Sequence, residues 1–550
     1  MAQAPKWIDK AKQAVFSVVT YDANDAILRT GNGFCIGEDG TALSDYSLFR
    51  NAQRAVVFTA DGTQLPVKWI LGVNDLYDVI KFQVNVTVVK KVQALTVAAV
   101  TPATGSEIYL LPYSTQKDRS YTSGLVSDVT RAGEGNNYYT LGLRLADKMS
   151  SCPLTTSDGQ VFALAQRATG ADTATTCYGV DARFASALAI TAFSVNDKVL
   201  KTIGIRKALP DTEEQAVAFL YIASTSVSAE EYGHILDCFI EQYPRSAEGY
   251  SNRATHRMTR ATTADEVALV ASDLDRAMSL TSKPDETRYT RGRLMYAYLM
   301  REGVEDYPAW TLQMALDEVR QAIKLNPLPL YIQLQGDIEY AMEDYAAALE
   351  SYDIVNRSEL ASAASLYNTA RCKEMLEAPG EEILALLDSC VNTFNRPYTK
   401  EVAPYLFERA QARMNYGKAR DAVMDYDDYY NAVNGQVNDY FYYLRAQASV
   451  KAKQYQRGLD DLQQAIEING NEPVYRAELA SLNIRVGRNE EAVAIVEDML
   501  KTEPDYAEGY RLLGLAKLQM GLNEEGCAAL TKAHELGDEL SGPLIEKYCK

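Results

Sequence analysis

The sequence predicts a multidomain β + α fold, with a double β-barrel over residues 1–207 followed by an all-α superhelix over residues 208–550. The length of 550 residues exceeds what a single hydrophobic core holds. In the first part, short apolar runs alternate with turn residues at a spacing of about ten residues, which is typical of barrels and sandwiches. After Pro210 the apolar residues recur with a helical period, and three units repeat in register at a period of about 34 residues.

The strand-like runs of the first part fall into two sets. Turn signals such as Gly37 to Gly40 and Asp61-Gly62 separate them. With the short links between them, the two sets make about six strands each, which predicts a double barrel. Residues 182–207 are then expected to turn helical. The runs are 15–20, 27–36, 55–59, 65–73 and 79–84 in the first set, and 107–111, 122–130, 138–145, 161–166 and 177–180 in the second.

Four motifs of this part resemble, in order and spacing, the chymotrypsin-like double β-barrel of serine proteases in its bacterial HtrA-like (Deg-type) form. The resemblance covers about residues 12–207 and implies a protease fold. The motifs are Gly31-Asn32-Gly33-Phe34, Glu38-Asp39-Gly40, Ala42-Leu43-Ser44-Asp45, and Gly124-Leu125-Val126-Ser127 with Arg131 beyond it.

The resemblance also assigns the positions of the catalytic triad. Ser47 falls at the histidine position, Asp78 at the aspartate position and Ser150 at the serine position. The nucleophile motif reads Lys-Met-Ser-Ser-Cys-Pro-Leu over 148–154, so the glycines that flank the nucleophile in the family are absent. Those glycines turn backbone N–H groups toward the oxyanion. The sequence therefore predicts a protease fold with a degenerate active site.

The histidines support the same prediction. The chain has three, His234, His256 and His534, so the predicted barrel region contains none. A serine hydroxyl is a poor nucleophile until a base takes its proton. Ser150 is thus expected to be a serine that the fold retains. The alternative is a residual nucleophile that uses Lys148, or a histidine brought to it from His234 or His256.

Eight cysteines are scattered along the chain without a Cys-x-x-Cys pair, so zinc and thioredoxin-type chemistry are not expected. Cys152 lies in the nucleophile motif, and Cys177 begins the strand that walls the specificity pocket in the family. Two alternatives stay open for this pair. They form a disulfide that closes the former pocket, or they are two small buried thiols. No metal and no cofactor are expected.

The repeat in the second part carries small residues at fixed positions. Ala446, Ala480 and Gly514 are equivalent, and a second small residue follows each after 12 positions. Gly487 and Gly521 repeat at the turn between helices. Small residues let two helices of one unit cross closely. This pattern resembles tetratricopeptide repeats, and looser copies upstream predict eight or nine helical hairpins, closed by a capping helix over residues 539–549.

The first helix of each unit lines a groove in that family, and aromatic side chains there are good anchors for a peptide or protein. Each of these aromatics has the alternative of packing between helices. The basic clamp of chaperone-binding members is absent, because its Lys/Arg and Asn pairs read Tyr443 with Gln447, Ala477 with Ser481, and Arg511 with Leu515. The predicted groove residues are Tyr289, Tyr367, Phe407, Tyr440, Tyr443 and Gln447, together with Ala477 and Arg511.

The formal net charge of −19 is unevenly distributed. Residues 1–207 hold 21 Lys and Arg against 18 Asp and Glu, and residues 208–550 hold 34 against 56. An acidic surface argues against nucleic acid and anionic membrane as partners. No apolar run reaches the roughly 18 residues that a membrane-spanning helix needs, so no transmembrane segment is expected.

The leading functional hypothesis is a non-catalytic scaffold that binds proteins or peptides through an inactive trypsin-like domain and a repeat array. The alternatives are an active serine peptidase that uses Ser150 with a non-standard base, and a glycan- or small-molecule-binding envelope protein. The resemblance implies a periplasmic or secreted location. The N-terminal sequence fits either a cytosolic start or a mature export product.

Overall fold

A computed structural model describes residues 5–87, 89, 91–116, 120–132, 135–146, 148–167 and 175–549. By compactness the chain divides into two units, residues 1–283 with 302–307, and residues 284–301 with 308–550. The domain boundary predicted at 207/208 marks the change from strands to helices. The two compact units are instead defined by which residues pack together.

The first unit contains two closed antiparallel barrels of six strands each, in the orders β1-β2-β3-β6-β5-β4 and β10-β11-β12-β9-β8-β7. This confirms the predicted double barrel. Two short strands, β3 and β10, were predicted only as motifs. The strands are β1 Val15–Tyr21, β2 Ile27–Cys35, β3 Thr41–Ser44, β4 Arg54–Phe58, β5 Gln64–Asn74, β6 Val79–Val84, β7 Glu107–Leu110, β8 Thr122–Ala132, β9 Asn136–Gly142, β10 Pro153–Thr155, β11 Val161–Arg167 and β12 Cys177–Asp181.

The same unit contains four short helices and two helical hairpins. The helices are α1 Ile8–Ala11, α2 Tyr46–Phe49, α3 Ala182–Ala187, α4 Lys198–Lys201, α5 Glu213–Ser226, α6 Ala229–Gln242, α7 Ala247–Met258 and α8 Ala264–Leu280. Single turns of 3₁₀ helix lie at Lys12–Ala14 and Ala192–Asn196.

The second unit contains seven hairpins and a final helix. Its helices are α9 Pro284–Leu299, α10 Leu312–Leu325, α11 Pro329–Ala341, α12 Tyr345–Asn356, α13 Ala363–Met375, α14 Gly380–Asn392, α15 Ala403–Asn415, α16 Ala419–Ala432, α17 Asp439–Lys451, α18 Tyr455–Ile468, α19 Pro473–Arg485, α20 Asn489–Thr502, α21 Ala507–Gln519, α22 Asn523–Glu535 and α23 Ser541–Tyr548, with a 3₁₀ turn at Lys400–Val402. Residues 213–548, all described, therefore form nine hairpins and one capping helix, as predicted.

The first hairpin packs onto the first barrel. Phe219 on α5 and Phe239 on α6 share one buried core with Phe16 and Phe82 of the barrel. The side-chain amide of Gln242 donates to the carbonyl of Leu209 at 3.2 Å and its oxygen accepts from the Leu209 N–H at 3.0 Å. Burial of apolar area at about 25 cal/mol per Å² is the dominant stabilising term in such a contact. The barrel core therefore continues into the start of the helical region.

Small residues allow the close approach of α21 and α22. A Cβ added to Gly514 would lie 2.8 Å from the carbonyl of Gly526, and one added to Gly526 would lie 3.0 Å from the carbonyl of Gly514. A larger residue at either position would have to push the two helices apart. At the ends of α19 and α21, Gly487 and Gly521 have φ of 82° and 79°, the left-handed conformation that closes a helix.

Buried ion pairs repeat within the hairpins. An arginine on the first helix meets an aspartate sixteen residues later on the second in three places, Arg257 with Asp273 at 2.8 Å, Arg409 with Asp425 at 2.7 Å, and Arg445 with Asp461 at 2.7 Å. The three aspartates are 5% exposed or less. Since a buried carboxylate without a partner is costly, each pair constrains how its two helices cross.

Breaking one such pair tests this constraint. We expect Arg445→Met to lower the free energy of unfolding by about 3 kcal/mol, because Asp461 is left buried without its arginine. The matched control is Arg396→Met, which removes an arginine that is 64% exposed in its pair with Asp428 and should cost about 1 kcal/mol or less. Urea denaturation followed by circular dichroism measures both, and equal effects would contradict the interpretation.

Candidate functional site

Ser47 and Asp78, assigned to the histidine and aspartate positions, are in direct contact. Ser47 on α2 donates its backbone N–H to Oδ1 of Asp78 at 2.6 Å and its hydroxyl to Oδ2 at 2.9 Å. Burial raises the pKa of Asp78, and the two bonds from Ser47 oppose that shift. The position that the resemblance assigns to the catalytic histidine therefore presents a hydroxyl to Asp78.

The loop that carries Ser150, residues 148–152, runs into β10. Lys148 and Ser151 have φ of 67° and 63°, in the left-handed region that favours glycine. Such a conformation costs a non-glycine residue about 1–2 kcal/mol. Two non-glycine residues thus adopt the kind of turn that flanking glycines would make without strain.

Side chains and backbone of neighbouring strands hold this loop in place. The Asn32 amide on β2 donates to the carbonyl of Lys148 at 2.5 Å and to that of Ser150 at 3.2 Å. The N–H of Ser151 donates to the carbonyl of Ala165 on β11 at 2.8 Å. Asn32 belongs to the first barrel and Ala165 to the second, so the loop lies between the two barrels.

A buried carboxyl, Asp45, lies beside this loop. Its Oδ1 and the hydroxyl of Ser151 are both buried, and neither has a hydrogen-bond partner within the described ranges. Burial raises the pKa of Asp45 to about 7; the nearby Ser151 hydroxyl opposes this shift, and the charge of Asp78 adds to it. The two side chains are therefore close without forming a well-oriented hydrogen bond. Sequence reasoning did not single out Asp45 as a functional residue, although it ends the Ala42-Leu43-Ser44-Asp45 motif.

The two nearest histidines in sequence have other neighbours. His234 on α6 lines a cavity formed with residues 190–209. His256 on α7 packs edge-on against Tyr232, with ring centroids 5.3 Å apart. Neither imidazole is hydrogen-bonded to Ser150 in the part of the chain that the structure describes.

The structure decides between the two alternatives for Cys152 and Cys177. Cys152 and Cys177 are both fully buried free thiols, so the disulfide considered between them is absent. Strand β11 separates them in the sheet, which puts about 10 Å between their strands. A disulfide needs Cα atoms within about 7 Å. The disulfide present joins Cys527 on α22 to Cys549, with Cα atoms 5.6 Å apart, and sequence reasoning gave no signal for that pair.

Three of the predicted groove aromatics pack against other rings. Tyr289 stacks on Tyr331 with centroids 4.7 Å apart, Tyr367 lies 5.6 Å from Tyr405, and Phe407 lies 5.4 Å from Tyr429. All three are half-buried. Their rings thus have a packing role, and any role in binding stays a prediction.

Two further predicted groove positions are not free to meet a ligand. Ala477 is 3% exposed and belongs to a buried core, so placing it in the groove was wrong. Arg511 is held by ion pairs to Asp538 at 2.7 Å and Glu508 at 2.6 Å.

The tyrosine-rich run around residue 441 surrounds one arginine. The Arg445 guanidinium lies over Tyr430, Phe441 and Tyr442, at 5.1 to 5.6 Å from each ring centroid, and also pairs with Asp461. Much of this aromatic concentration therefore stabilises the hairpin.

Tyr440 and Tyr443 on α17 form the most open part of the predicted groove. Tyr440 is 52% exposed, and its ring centroid lies 6.2 Å from that of Tyr443. Gln447 donates from its amide to the Tyr443 hydroxyl at 2.8 Å, and Tyr475 on α19 packs 5.2 Å from Tyr443. An exposed ring is thus presented on a rigid base of polar and aromatic contacts.

The charges of nearby carboxylates act on Tyr443. Desolvation raises the pKa of Glu478 on α19, and the charge of Glu508 on α21 raises it further. The charges of Glu478, Glu472 and Glu508 also reach Tyr443, whose pKa is raised first by burial. Glu478 is nonetheless exposed to solvent. We call Tyr440, Tyr443, Glu472, Glu478 and Glu508 the aromatic–acidic face.

Neither a metal site nor a membrane span is found in the described ranges. No group of three or more His, Cys, Asp or Glu side chains there could hold a metal ion. No helix within those ranges is long and apolar enough to cross a bilayer.

Two closed barrels, with Ser47 and Asp78 in contact and the Ser150 loop between the barrels, define a chymotrypsin-like protease fold, and the paired helices define a helical repeat. The comparisons with known families agree. The family model of the trypsin-like peptidase domain matches residues 31–164, and that of the tetratricopeptide repeat matches residues 449–518. The chain therefore joins a trypsin-like peptidase domain to tetratricopeptide repeats, which generally mediate protein interactions.

Asp45 predicts a pH dependence of stability. Its pKa of about 7 in the folded state exceeds that of an unfolded aspartate. The stability that protonation of Asp45 contributes is therefore fully present in acid and is lost as the pH rises from about 4 to about 7. Relative to Asp45→Asn, we expect the wild type to lose up to about 1.4 kcal/mol per pH unit across that window.

Urea titrations between pH 4.5 and 8, followed by tryptophan fluorescence, measure this difference. Asp75→Asn, an exposed aspartate of the same barrel, is the control and should keep the wild-type slope. An Asp45→Asn curve parallel to the wild type would show that Asp45 ionises normally.

Proposed function

We propose that this protein is a non-catalytic scaffold that binds proteins or peptides through its repeat array. The observation that supports the absence of catalysis in this proposal is the hydrogen bond from the Ser47 hydroxyl to Asp78 at 2.9 Å. A serine hydroxyl cannot accept a proton near neutral pH, whereas the imidazole of a serine protease does. The aspartate thus orients a group that has no role as a base.

The competing proposal is an active serine peptidase that uses Ser150 with a non-standard base. The observation that favours it is Asp45, whose pKa burial raises to about 7, close to the optimum for a general base. Against it, the hydroxyl that Asp45 meets is that of Ser151. Lys148, the other candidate base, is exposed.

The binding half of the proposal rests on the aromatic–acidic face. Tyr440 offers an exposed ring, and the charges of Glu472, Glu478 and Glu508 reach its partner Tyr443, although Glu508 is already paired with Arg511. Aromatic rings attract cations through their negative faces, and carboxylates attract them by charge. This combination favours peptides with lysine or arginine over acidic peptides. A glycan ligand is the alternative, since an exposed tyrosine also stacks on sugar rings.

We further propose that the protein works in a periplasmic or secreted setting. The disulfide between Cys527 and Cys549 supports this, because such bonds persist in oxidising compartments. The resemblance to Deg-type proteases points the same way.

A serine-directed fluorophosphonate probe tests catalysis. We expect no labelling of Ser150 above the level seen with Ser150→Ala, because no base activates the hydroxyl. Labelling of the wild type that disappears in both Ser150→Ala and Asp45→Asn would establish the peptidase alternative instead.

Peptide binding tests the array. We expect a Lys/Arg-rich peptide to bind more tightly than an Asp/Glu-rich peptide of the same apolar content, and Tyr440→Ala to weaken that binding about tenfold. Glu478→Gln should weaken it chiefly at low salt. Isothermal titration calorimetry measures both.

The control for this experiment is Tyr221→Ala, which removes an exposed tyrosine from α5. Equal affinity for the two peptides, or no effect of either substitution on the aromatic–acidic face, would remove this face as the binding site. Binding of oligosaccharide that depends on Tyr440 but not on Glu478 would support the glycan alternative.

A further inference from the structure

A cavity of about 470 Å³ lies in the first compact unit, between residues 190–209 and the hairpin of α5 and α6. Buried apolar side chains form much of its wall, among them Val195, Leu200, Leu209 and Phe219. Its volume falls in the range of about 300–1,000 Å³ that small-molecule sites have. The triad positions and the aromatic–acidic face do not line it.

Lys207 contributes a positively charged side chain to the wall of this cavity. It is half-buried, and its ammonium donates to the carbonyl of Ile203. No carboxylate of the described residues lies within ion-pair distance of it. Desolvation lowers the pKa of Lys207, and the more distant charge of Glu231 only partly offsets this. A desolvated cation without a close counter-ion favours the approach of an anion.

The other charged groups of the wall already have partners or lie in solvent. Arg206 pairs with Glu241 at 3.1 Å and lies over the ring of Trp69 at 4.6 Å. Asp237 pairs with Arg253 at 2.8 Å. Lys201 and Glu231 are exposed. Lys207 is therefore the cation best placed to meet a ligand that enters the apolar space.

We propose that this cavity binds a small amphipathic carboxylate, such as a medium-chain fatty acid, with its tail against Leu200 and Phe219 and its carboxylate at Lys207. The apolar wall selects the tail, and the ammonium selects the anionic head. This site is independent of the proposed peptide-binding function.

Cys238 provides a reporter inside the same cavity. It lines the wall, and Arg206 donates to its Sγ at 3.0 Å. The structure describes all eight cysteines. Two form the disulfide, five are buried free thiols, and Cys238 alone among the free thiols is partly exposed. A thiol reagent applied to the native protein should therefore modify Cys238, and a bound ligand should slow that reaction.

The experiment uses the full chain and decanoate below its micelle-forming concentration. We expect decanoate to slow alkylation of Cys238 by iodoacetamide, and decanol, with the same tail and no charge, to need about tenfold more for the same protection. Lys207→Met keeps the apolar stem and should weaken decanoate binding about tenfold, whereas Lys207→Arg should retain it. Lys201→Met removes a wall lysine that lies in solvent and is the matched control.

Isothermal titration calorimetry with the same compounds measures their affinity directly. It does not depend on the reactivity of Cys238. Thermal denaturation verifies that each variant is folded. Equal affinity for decanoate and decanol, unchanged affinity in Lys207→Met, or no binding of decanoate would each overturn the proposal.

Discussion

A serine bonded to the aspartate of the cleft is the contact on which the chemistry of the barrel domain depends. Asp78 is partly desolvated and needs donors, and Ser47 supplies two, its backbone N–H and its hydroxyl. The carboxylate is thus stabilised without an imidazole. Losing these donors would be costly, because a partly buried carboxylate without hydrogen-bond partners pays the penalty of its desolvation.

The repeat array depends on a different constraint, the close crossing of paired helices. Gly514 and Gly526 let two backbones approach, and buried pairs such as Arg445 with Asp461 favour one crossing over others. Most aromatic side chains serve the same packing. The groove position that packing leaves most open is Tyr440, whose side chain is 52% exposed.

Much of this organisation could be predicted from residues alone. The double barrel, the eight or nine hairpins and the capping helix follow from patterns that are local or that recur at fixed spacing. Ser47 and Asp78 were assigned to one site by the family resemblance and not by such a pattern. The disulfide could not be predicted, since Cys527 and Cys549 meet only because α23 folds back on α22. Asp45 and Lys207 were also missed, because the property that marks each of them, desolvation by distant segments, has no sequence signature.

The sequence by itself determined the kind of elements, their order and the absence of histidine from the barrel domain, since periodicity and composition are properties of neighbours along the chain. Only the tertiary structure decided which side chains are buried, which charges are paired and which rings are left in solvent. Ala477 and Tyr440 are both predicted groove positions. Ala477 is buried, whereas the side chain of Tyr440 is about half exposed to solvent. That difference arises from the packing of helices far apart in sequence, which no local pattern encodes.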